Sequence, residues 1–139
     1  MGQRASAGGP IRVERMEVHR GHLICRIAFG NAPRTTSPEL MARVLSAFPT
    51  LPQHACVNEC GTTFAAVMNC TPLPHLLEHM VVDLQVREES HGATIVGTSE
   101  WLNEQEGIAR LDISFSDDLV ALQAINKAVT FLNKALQCR

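Results

Sequence analysis

Residues 71–85, TPLPHLLEHMVVDLQ, decide the fold of this chain, because they combine a helix start with a helical repeat of apolar side chains. Thr71 is a favoured N-cap residue, and Pro72 suits the first helical position, where no backbone N–H is needed. Six apolar residues then recur at the helical period and form one face: Leu73, Leu76, Leu77, Met80, Val81 and Leu84. We therefore expect a helix that buries this face and ends near Glu89.

A second set of side chains, His75, Glu78 and His79, lies on the opposite face of the same predicted helix. Two histidines one turn apart can bind one zinc ion, and a neighbouring carboxylate can take a proton from water. The order His-x-x-Glu-His is that of the inverted zinc peptidases, and Leu-Glu-His-Met resembles the same segment of insulinase-type peptidases. Because these residues lie away from the apolar face, burial in the core does not explain them. A solvated helix face with two ordinary histidines is the alternative.

Length, composition and charge narrow the class of protein. The chain has 139 residues, of which 45% are apolar, and this is enough for one domain with its own core. The net charge is −2 and no basic run occurs, so nucleic acid and anionic membrane surfaces are poor candidate partners. No apolar run is long enough to span a bilayer.

The N-terminal residues and the cysteines indicate a cytoplasmic location. Residues 1–10 lack the apolar core of a secretion signal, and we expect them to form a disordered lead-in. The five cysteines are odd in number and their spacing suggests no disulfide framework, which favours a reducing compartment. For Cys56, Cys60 and Cys70 we expect buried, inert thiols that serve packing.

Periodicity along the rest of the chain predicts four strands and further helices. Alternating apolar residues predict two strands joined by a turn at residues 20–21, with a slip after Val13 that suggests a bulge. Residues 51–60 read as irregular, and residues 98–107 read as a polar loop that holds Trp101. In chain order, the predicted elements are strands at 11–18 and 23–29, helices at 38–48, 61–69 and 71–89, strands at 93–97 and 108–115, and a last helix from a cap at Ser116 to Leu136.

This order of elements, β-β-α-α-α-β-β-α, favours the α+β class. Two hairpins separated by helices predict one antiparallel four-stranded sheet with helices packed on one face. We expect residues 11–139 to form this sheet and its helices as a single domain.

From His54 to the C terminus, the chain resembles the N-terminal domain of cyanophycin synthetase. The family pattern runs from a His-x-Cys segment and a turn that ends in phenylalanine, through His-x-x-Glu-His, to an acidic helix cap. The matching segments are His54-Ala55-Cys56, Gly61-Thr62-Thr63-Phe64, Thr71, His75-Leu76-Leu77-Glu78-His79, Val82-Asp83-Leu84-Gln85, Gly97, Gly107-Ile108 and Asp117-Asp118. The resemblance covers roughly the last three-fifths of the chain.

The resemblance implies a polymer-binding domain, which in some family members also cleaves cyanophycin at a site of the inverted-zincin kind. In the synthetase this domain precedes an ATP-grasp ligase and a Mur-ligase-like domain. Neither is found in this sequence, so we do not expect ligation from this chain.

The resemblance also implies roles for single residues. Carried over by the motif, His75 and His79 are zinc ligands and Glu78 is the general base. A catalytic zinc needs a third protein ligand, and Asp118 at the predicted start of the last helix is the first choice. The other candidates for the third ligand are Asp117, Glu100, Glu104 and His54.

Three functions fit these observations. The first is a small hydrolase that uses zinc or another divalent metal to cleave peptide or isopeptide bonds in cyanophycin or another peptide or polypeptide-like substrate. The second is a non-catalytic module that binds a polymer, a peptide or a partner protein. The third is a structural zinc site that His54 or Cys56 closes as the fourth ligand. We favour the first over the second, and we expect the domain to form a homo-oligomer.

Overall fold

A computed structural model of the chain describes residues 9–88 and 94–137. The strands are β1 (Arg12–His19), β2 (His22–Ala28), β3 (Ala55–Asn58), β4 (Gly61–Thr63), β5 (Gly97–Asn103) and β6 (Ile108–Ser114). The helices are α1 (Pro38–Ala47), α2 (Leu73–Glu88) and α3 (Asp118–Gln137), with single 3₁₀ turns at Leu51–Gln53 and Phe64–Ala66. None of the helices within these ranges is both long and apolar enough to cross a membrane.

Four strands form one antiparallel sheet in the order β1-β2-β6-β5. The hairpins β1-β2 and β5-β6 lie side by side because β2 pairs with β6, for example through Cys25 and Leu111. The register of β1 against β2 shifts between Val13 and Arg15, where the sequence predicts a bulge. The α+β class and the four-stranded antiparallel sheet are therefore confirmed.

One face of the sheet carries the core of the domain. Leu23, Ile27 and Leu111 are fully buried on this face, where α2 packs against β5 and β6 while α3 packs against β1, β2 and α2. The opposite face is charged: Arg26 is exposed there and its guanidinium lies 3.2 Å from the Glu14 carboxylate on β1. The prediction that the helices cover one face is confirmed.

The helix α2 packs against both the sheet and α3. Five of its six predicted apolar positions are fully buried: Leu73, Leu76, Leu77, Met80 and Val81. The Pro72 carbonyl accepts the N–H groups of His75 and Leu76 at 2.9 and 3.4 Å, so the helix begins one residue later than predicted. Thr71 is held by Thr36, whose N–H donates to the Thr71 carbonyl at 2.8 Å and fixes the entry of the chain into α2.

The short helix predicted over residues 61–69 is wrong, because β3 and β4 form a hairpin there and only one 3₁₀ turn follows it. The side chain of Asn58 closes this hairpin. Its amide donates to the carbonyls of Cys56 and Thr63, at 2.9 and 3.2 Å, and its oxygen accepts the Cys60 N–H at 2.9 Å. Asparagine that bonds to nearby backbone in this way favours a turn over a helix.

The polar loop predicted over residues 98–107 is largely the strand β5. Thr98 and Glu100 are exposed, whereas Ser99 and Trp101, which alternate with them along the strand, are half-buried. The strand is hard to recognise in the sequence because its inward side carries small and polar residues rather than a run of apolar ones.

Some predictions fall on residues outside the described ranges. The predicted lead-in covers residues 1–10, of which the structure describes only 9 and 10. The predicted end of α2 near Glu89 also lies outside, as does the first residue of the strand predicted at 93–97. Of that predicted strand, only Gly97 belongs to β5.

Candidate metal centre

The face of α2 that carries His75, Glu78 and His79 is covered, whereas the sequence leads us to expect it away from the core. Glu78 and His79 are 7% and 6% exposed, and His75 is partly buried. One cover is the 3₁₀ turn with Phe64, whose ring centroid lies 4.4 Å from that of His79 and 5.2 Å from that of His75. The other is β5, which packs against α2. Buried polar groups need polar partners, and the structure provides them on this face.

Three metal-binding atoms meet at this face: the sulfur of Cys56 and the Nε2 atoms of His75 and His79. The strand β3 brings Cys56 to the first turn of α2, where its Sγ lies 3.5 Å from His75 Nε2. The two Nε2 atoms are 3.2 Å apart. The ligand atoms of the three residues, here called the donor group, all lie within 4.8 Å of one another. Imidazole nitrogen and thiolate sulfur are the ligands that zinc prefers in proteins.

Two of the three spacings within the donor group match those of ligands on a tetrahedral metal ion. Usual zinc bond lengths place two nitrogen ligands about 3.3 Å apart and a nitrogen and a sulfur ligand about 3.6 Å apart. The observed distances are 3.2 Å between the two nitrogens and 3.5 Å between the His75 nitrogen and the Cys56 sulfur. Three protein ligands leave the fourth tetrahedral position open, as in catalytic rather than structural zinc sites.

The second nitrogen of each imidazole faces another side chain. His75 Nδ1 lies 2.9 Å from the Thr71 hydroxyl, and His79 Nδ1 lies 3.0 Å from His54 Nδ1. Partners of this kind fix the orientation of metal-binding histidines. The two Nε2 atoms consequently face one another beside the Cys56 sulfur, where each neutral ring could offer a lone pair to a bound cation.

Burial keeps both histidines of the donor group neutral. Burial lowers the pKa of His75. Burial, together with the smaller electrostatic effects of His75 and His54, lowers the pKa of His79 to about 3. Because neutral imidazole is the form that binds a metal, neither ring needs to lose a proton at neutral pH.

Glu78 lies next to the donor group on α2 and is held by β5. Its carboxylate hydrogen-bonds with the Ser99 side chain. Gly97 permits the close approach of the two elements, because a Cβ atom there would lie 3.0 Å from Glu78 Cγ and 3.2 Å from Ile113 Cγ1. Burial raises the pKa of Glu78, while the Ser99 hydrogen bond and the electrostatic effect of His54 offset part of this rise. A carboxyl group with a raised pKa is suited to take up and return a proton.

The donor group and Glu78 line one cleft of about 860 Å³ between α2, β3 and β5. This volume is that of a typical ligand site and suits a peptide segment. The cleft lining includes Glu59 and Glu100 but neither lysine nor arginine among the described residues. Val57 on β3, which is 91% exposed, also lines the cleft, as does the exposed Val96.

Asp118, the first choice for the third ligand, does not belong to the donor group. It is the exposed first residue of α3. The side chain of Asp117 accepts the N–H groups of residues 119–120 at 3.0 and 3.3 Å, so Asp117 rather than Ser116 caps this helix. Val120, two residues after Asp118, lies beside Arg87 at the far end of α2 from the donor group. Asp118 as a ligand stays a prediction, and Cys56 is the residue that the structure brings to the histidines.

The other predicted candidates also lie outside the donor group. Glu100 is an exposed residue at the edge of the cleft, and its carboxylate forms an ion pair with Arg110 across the two strands. Glu104 is exposed between β5 and β6, where its carbonyl accepts a hydrogen bond from Arg34 at 2.7 Å. His54 contacts a donor-group histidine, but on the ring nitrogen that faces away from the other donors.

The sequence around Cys56 indicates on which side of the strand its side chain lies. From the sequence, however, Cys56 is predicted only as a ligand of a structural zinc site. In His54-Ala55-Cys56, alternate residues share one side of an extended chain. The structure agrees, since Ala55 is exposed while His54 and Cys56 are partly buried toward α2. Cys60 and Cys70 are exposed free thiols, so the expectation of buried thiols is wrong for these two.

A sequence model of the family described as the cyanophycin synthase-like N-terminal domain matches residues 23–137 of the chain. The matched range contains the donor group, Glu78 and every described residue that lines the cleft. No curated protein matches the chain.

Proposed function

The chain belongs to the family of cyanophycin synthase-like N-terminal domains, and we propose that it is a metal-dependent hydrolase of peptide or isopeptide bonds. The proposal is carried by one observation: Cys56, His75 and His79 form a donor group in a peptide-sized cleft that also holds the buried Glu78. Its substrate is a peptide or a polypeptide-like polymer such as cyanophycin.

Within this proposal, Cys56 holds zinc or another divalent ion as a thiolate, and His75 and His79 hold it as neutral imidazoles. When bound, the ion supplies a Lewis acid at the floor of the cleft. An open site is favoured over a closed structural one, because His54 turns one ring nitrogen to His79 and the other to Asp83. Neither nitrogen of that ring therefore faces the three ligand atoms of the donor group.

Glu78 is the residue that we assign to proton transfer. Its carboxylate takes a proton from the attacking water and returns it to the amine that leaves when the peptide or isopeptide bond breaks. Burial of the side chain supports both steps, because the raised pKa makes the protonated form accessible nearer to neutral pH. The hydrogen bond with Ser99 holds the carboxylate in position during this cycle.

The chemistry of the cleft lining supports a neutral or cationic substrate segment. The lining holds three glutamates, Glu59, Glu78 and Glu100, and among the described residues neither lysine nor arginine. Charged groups of one sign in a cleft repel ligands of the same sign. A peptide that carries uncompensated carboxylates next to the cleaved bond is therefore a poor substrate under this proposal.

A second candidate function is a non-catalytic module that holds a peptide or polymer. It is favoured by Val57 and Val96, which are 91% and 60% exposed and border the cleft. Exposed apolar side chains around a cleft are typical of a binding surface. Such a module binds its ligand equally well with and without a metal and releases it unchanged.

A cytoplasmic location is part of the proposal. The four cysteines within the described ranges, Cys25, Cys56, Cys60 and Cys70, are all free thiols. Free thiols persist in a reducing compartment, and such a compartment keeps Cys56 available as a thiolate ligand.

The test is hydrolysis of synthetic peptides and β-linked isopeptides by the zinc-loaded protein, beside the Glu78→Gln variant. We expect the wild type to release a new amino terminus and E78Q to be slower by at least about a hundredfold, as for loss of a general base. Glu39→Gln, on the exposed first turn of α1, is the matched control and should cleave at the wild-type rate.

The outcomes separate the three functions. Cleavage that chelation abolishes while the fold persists supports the hydrolase. Peptide binding that is indifferent to chelator, without turnover, replaces it with the binding module. Loss of secondary structure on chelation points to a structural zinc site.

A further inference from the structure

His54 occupies a fixed place behind the donor group. It follows the 3₁₀ turn at residues 51–53, and its N–H donates to the Leu51 carbonyl at 3.0 Å. Its own carbonyl accepts the Phe64 N–H at 3.0 Å. The backbone is therefore held on both sides, and the side chain is only 17% exposed.

The ring of His54 connects the donor group to a buried carboxylate. His54 Nδ1 lies 3.0 Å from His79 Nδ1, and His54 Nε2 lies 3.0 Å from Asp83 Oδ1. Asp83 is 4% exposed. Thr50 donates its hydroxyl to Asp83 Oδ1 at 2.8 Å, and Arg87 donates to Oδ2 at 2.9 Å.

The surroundings of Asp83 make it an acceptor. Burial alone would raise the pKa of Asp83, but the hydrogen bonds from His54 and Thr50 and the charge of Arg87 outweigh burial and hold it below its ordinary value. An ionised carboxylate can only accept hydrogen bonds. The nitrogen of His54 that faces Asp83 must therefore carry the proton.

The proton on His54 Nε2 determines the direction of the hydrogen bond between His54 Nδ1 and His79 Nδ1. In its neutral form, the His54 imidazole has one donor and one acceptor nitrogen, so with the proton on Nε2 its Nδ1 is the acceptor. The nitrogen that faces it, His79 Nδ1, must then carry a proton and donate it. His79 Nε2 is left with a free lone pair, and this is the atom that lies 3.2 Å from His75 Nε2 in the donor group.

We infer that His54, backed by Asp83, is the positioning residue that sets the tautomer of His79 and so prepares Nε2 for a metal. His75 lacks such control, because its partner is the Thr71 hydroxyl, which can either donate or accept. The role of His54 in preparing a metal ligand rests on the proposed function, whereas its control of the tautomer does not.

The test compares wild type with His54→Ala and His54→Asn, and uses His22→Ala as the matched control. His22 pairs with Asp112 on the sheet at 2.8 Å and has no contact with the donor group. Asparagine at position 54 retains a side-chain oxygen that can accept from His79 Nδ1, whereas alanine removes the acceptor. Two quantities are measured: the ring nitrogen chemical shifts of His79 in the metal-free protein, and zinc affinity by competition with a coloured chelator.

We expect wild type and H22A to show His79 protonated at Nδ1, and H54A to lose this single tautomer. Zinc affinity should fall by about 10- to 100-fold in H54A, as for loss of a partner behind a metal ligand, and H54N should recover part of it. An unchanged His79 tautomer in both His54 variants would overturn the inference, even if either variant were less stable. If the tautomer shifts but wild type binds no zinc, the proposed function fails while the positioning role stands.

Discussion

At the scale of single residues, a thiol and two ring nitrogens decide what the cleft can bind. Cys56 reaches the first turn of α2 from a hairpin, and its sulfur lies 3.5 Å from His75 Nε2. His79 completes the group at 3.2 Å from the same nitrogen. A thiolate binds zinc more strongly than an exposed aspartate does. With Cys56 as the third ligand, zinc affinity depends on Cys56 and not on Asp118, and with Asp118 as the third ligand the reverse holds. Mutation of each residue separates these two predictions.

Replacing Cys56 by alanine should reduce zinc affinity by at least about a hundredfold, because one of three ligands and its negative charge are lost. Asp118→Asn should leave the affinity within about twofold of wild type, because Asp118 is exposed at the start of α3. Competition titration with a coloured chelator measures both. The reverse ranking of the two variants would restore Asp118 as the third ligand.

The histidines of the donor group also predict how stability depends on pH in the metal-free protein. The pKa of His79 falls from 6.5 to about 3 on folding, mainly because of burial, so the unfolded chain binds a proton that the folded chain does not. Stability from this group is therefore complete above pH 6.5 and decreases as the pH falls from 6.5 toward 3. Urea unfolding between pH 7 and 5, with chelator present, measures the slope.

The matched variant for this measurement is His79→Gln, which has no ionisable group at position 79. We expect a shallower dependence on pH than in wild type, with His75, whose pKa burial also lowers, responsible for part of the remainder. Parallel slopes for the two proteins would contradict the role of His79.

At the scale of elements, two strands cover the polar face of α2 from opposite sides. The hairpin β3-β4, closed by Asn58, brings Cys56 to the helix. The edge strand β5 approaches the same helix at Gly97, and Ser99 holds Glu78 there. The site is therefore assembled from three elements, and only α2 carries more than one of its residues.

Gly97→Ala tests the contact between β5 and α2. A Cβ atom at this position meets Glu78 Cγ at 3.0 Å and Ile113 Cγ1 at 3.2 Å, so Glu78 has to move. We expect a loss of about 1–3 kcal/mol in the free energy of unfolding, as for overpacking, and a decrease in hydrolysis without loss of bound zinc. Urea unfolding and metal content, measured beside activity, distinguish these effects.

The control for this substitution is Thr98→Ala on the same strand, whose side chain is exposed. Its free energy of unfolding should change by less than about 0.5 kcal/mol. Equal losses in both variants would show that β5 itself, rather than the contact with Glu78, is responsible.

At the scale of the whole molecule, the donor group lies beside one continuous core. Phe64, which stacks on His79, is itself fully buried among the core residues, and so is Leu76 on the other face of α2. We propose that the apolar core folds without the metal. A bound ion then increases the stability of a protein that is already folded.

Zinc should therefore raise the thermal midpoint of an already folded protein. Free zinc at a hundred times its dissociation constant adds about 2.7 kcal/mol to stability, which corresponds to a rise of roughly 10 °C for a domain of this size. Differential scanning calorimetry with and without zinc measures the shift. Cys56→Ala is the control and should show a much smaller rise, and a chelated wild type with no folding transition would contradict the prediction.

Periodicity in the sequence alone was sufficient for the α+β class, the hairpin β1-β2, the strand β6 and the two faces of α2. These features could be predicted because the spacing of side chains along a strand or helix directly shows which face is apolar. The motif His75-x-x-Glu78-His79 likewise needs only one helical turn to bring its residues together. The strand β5 was obscured because Trp101 is the single large residue on its inward side, beside the small Gly97 and Ser99.

Only the tertiary structure decided that this motif is buried and that Cys56 is its partner. The Cys56–His75 contact depends on how a hairpin closes and packs across a helix, and no local repeat encodes that packing. The separation of Asp118 from the site has the same cause, since α3 begins beside the far end of α2. The spacing of side chains within each segment thus determined the helices and strands, whereas the packing of α2, β3 and β5 determined the site.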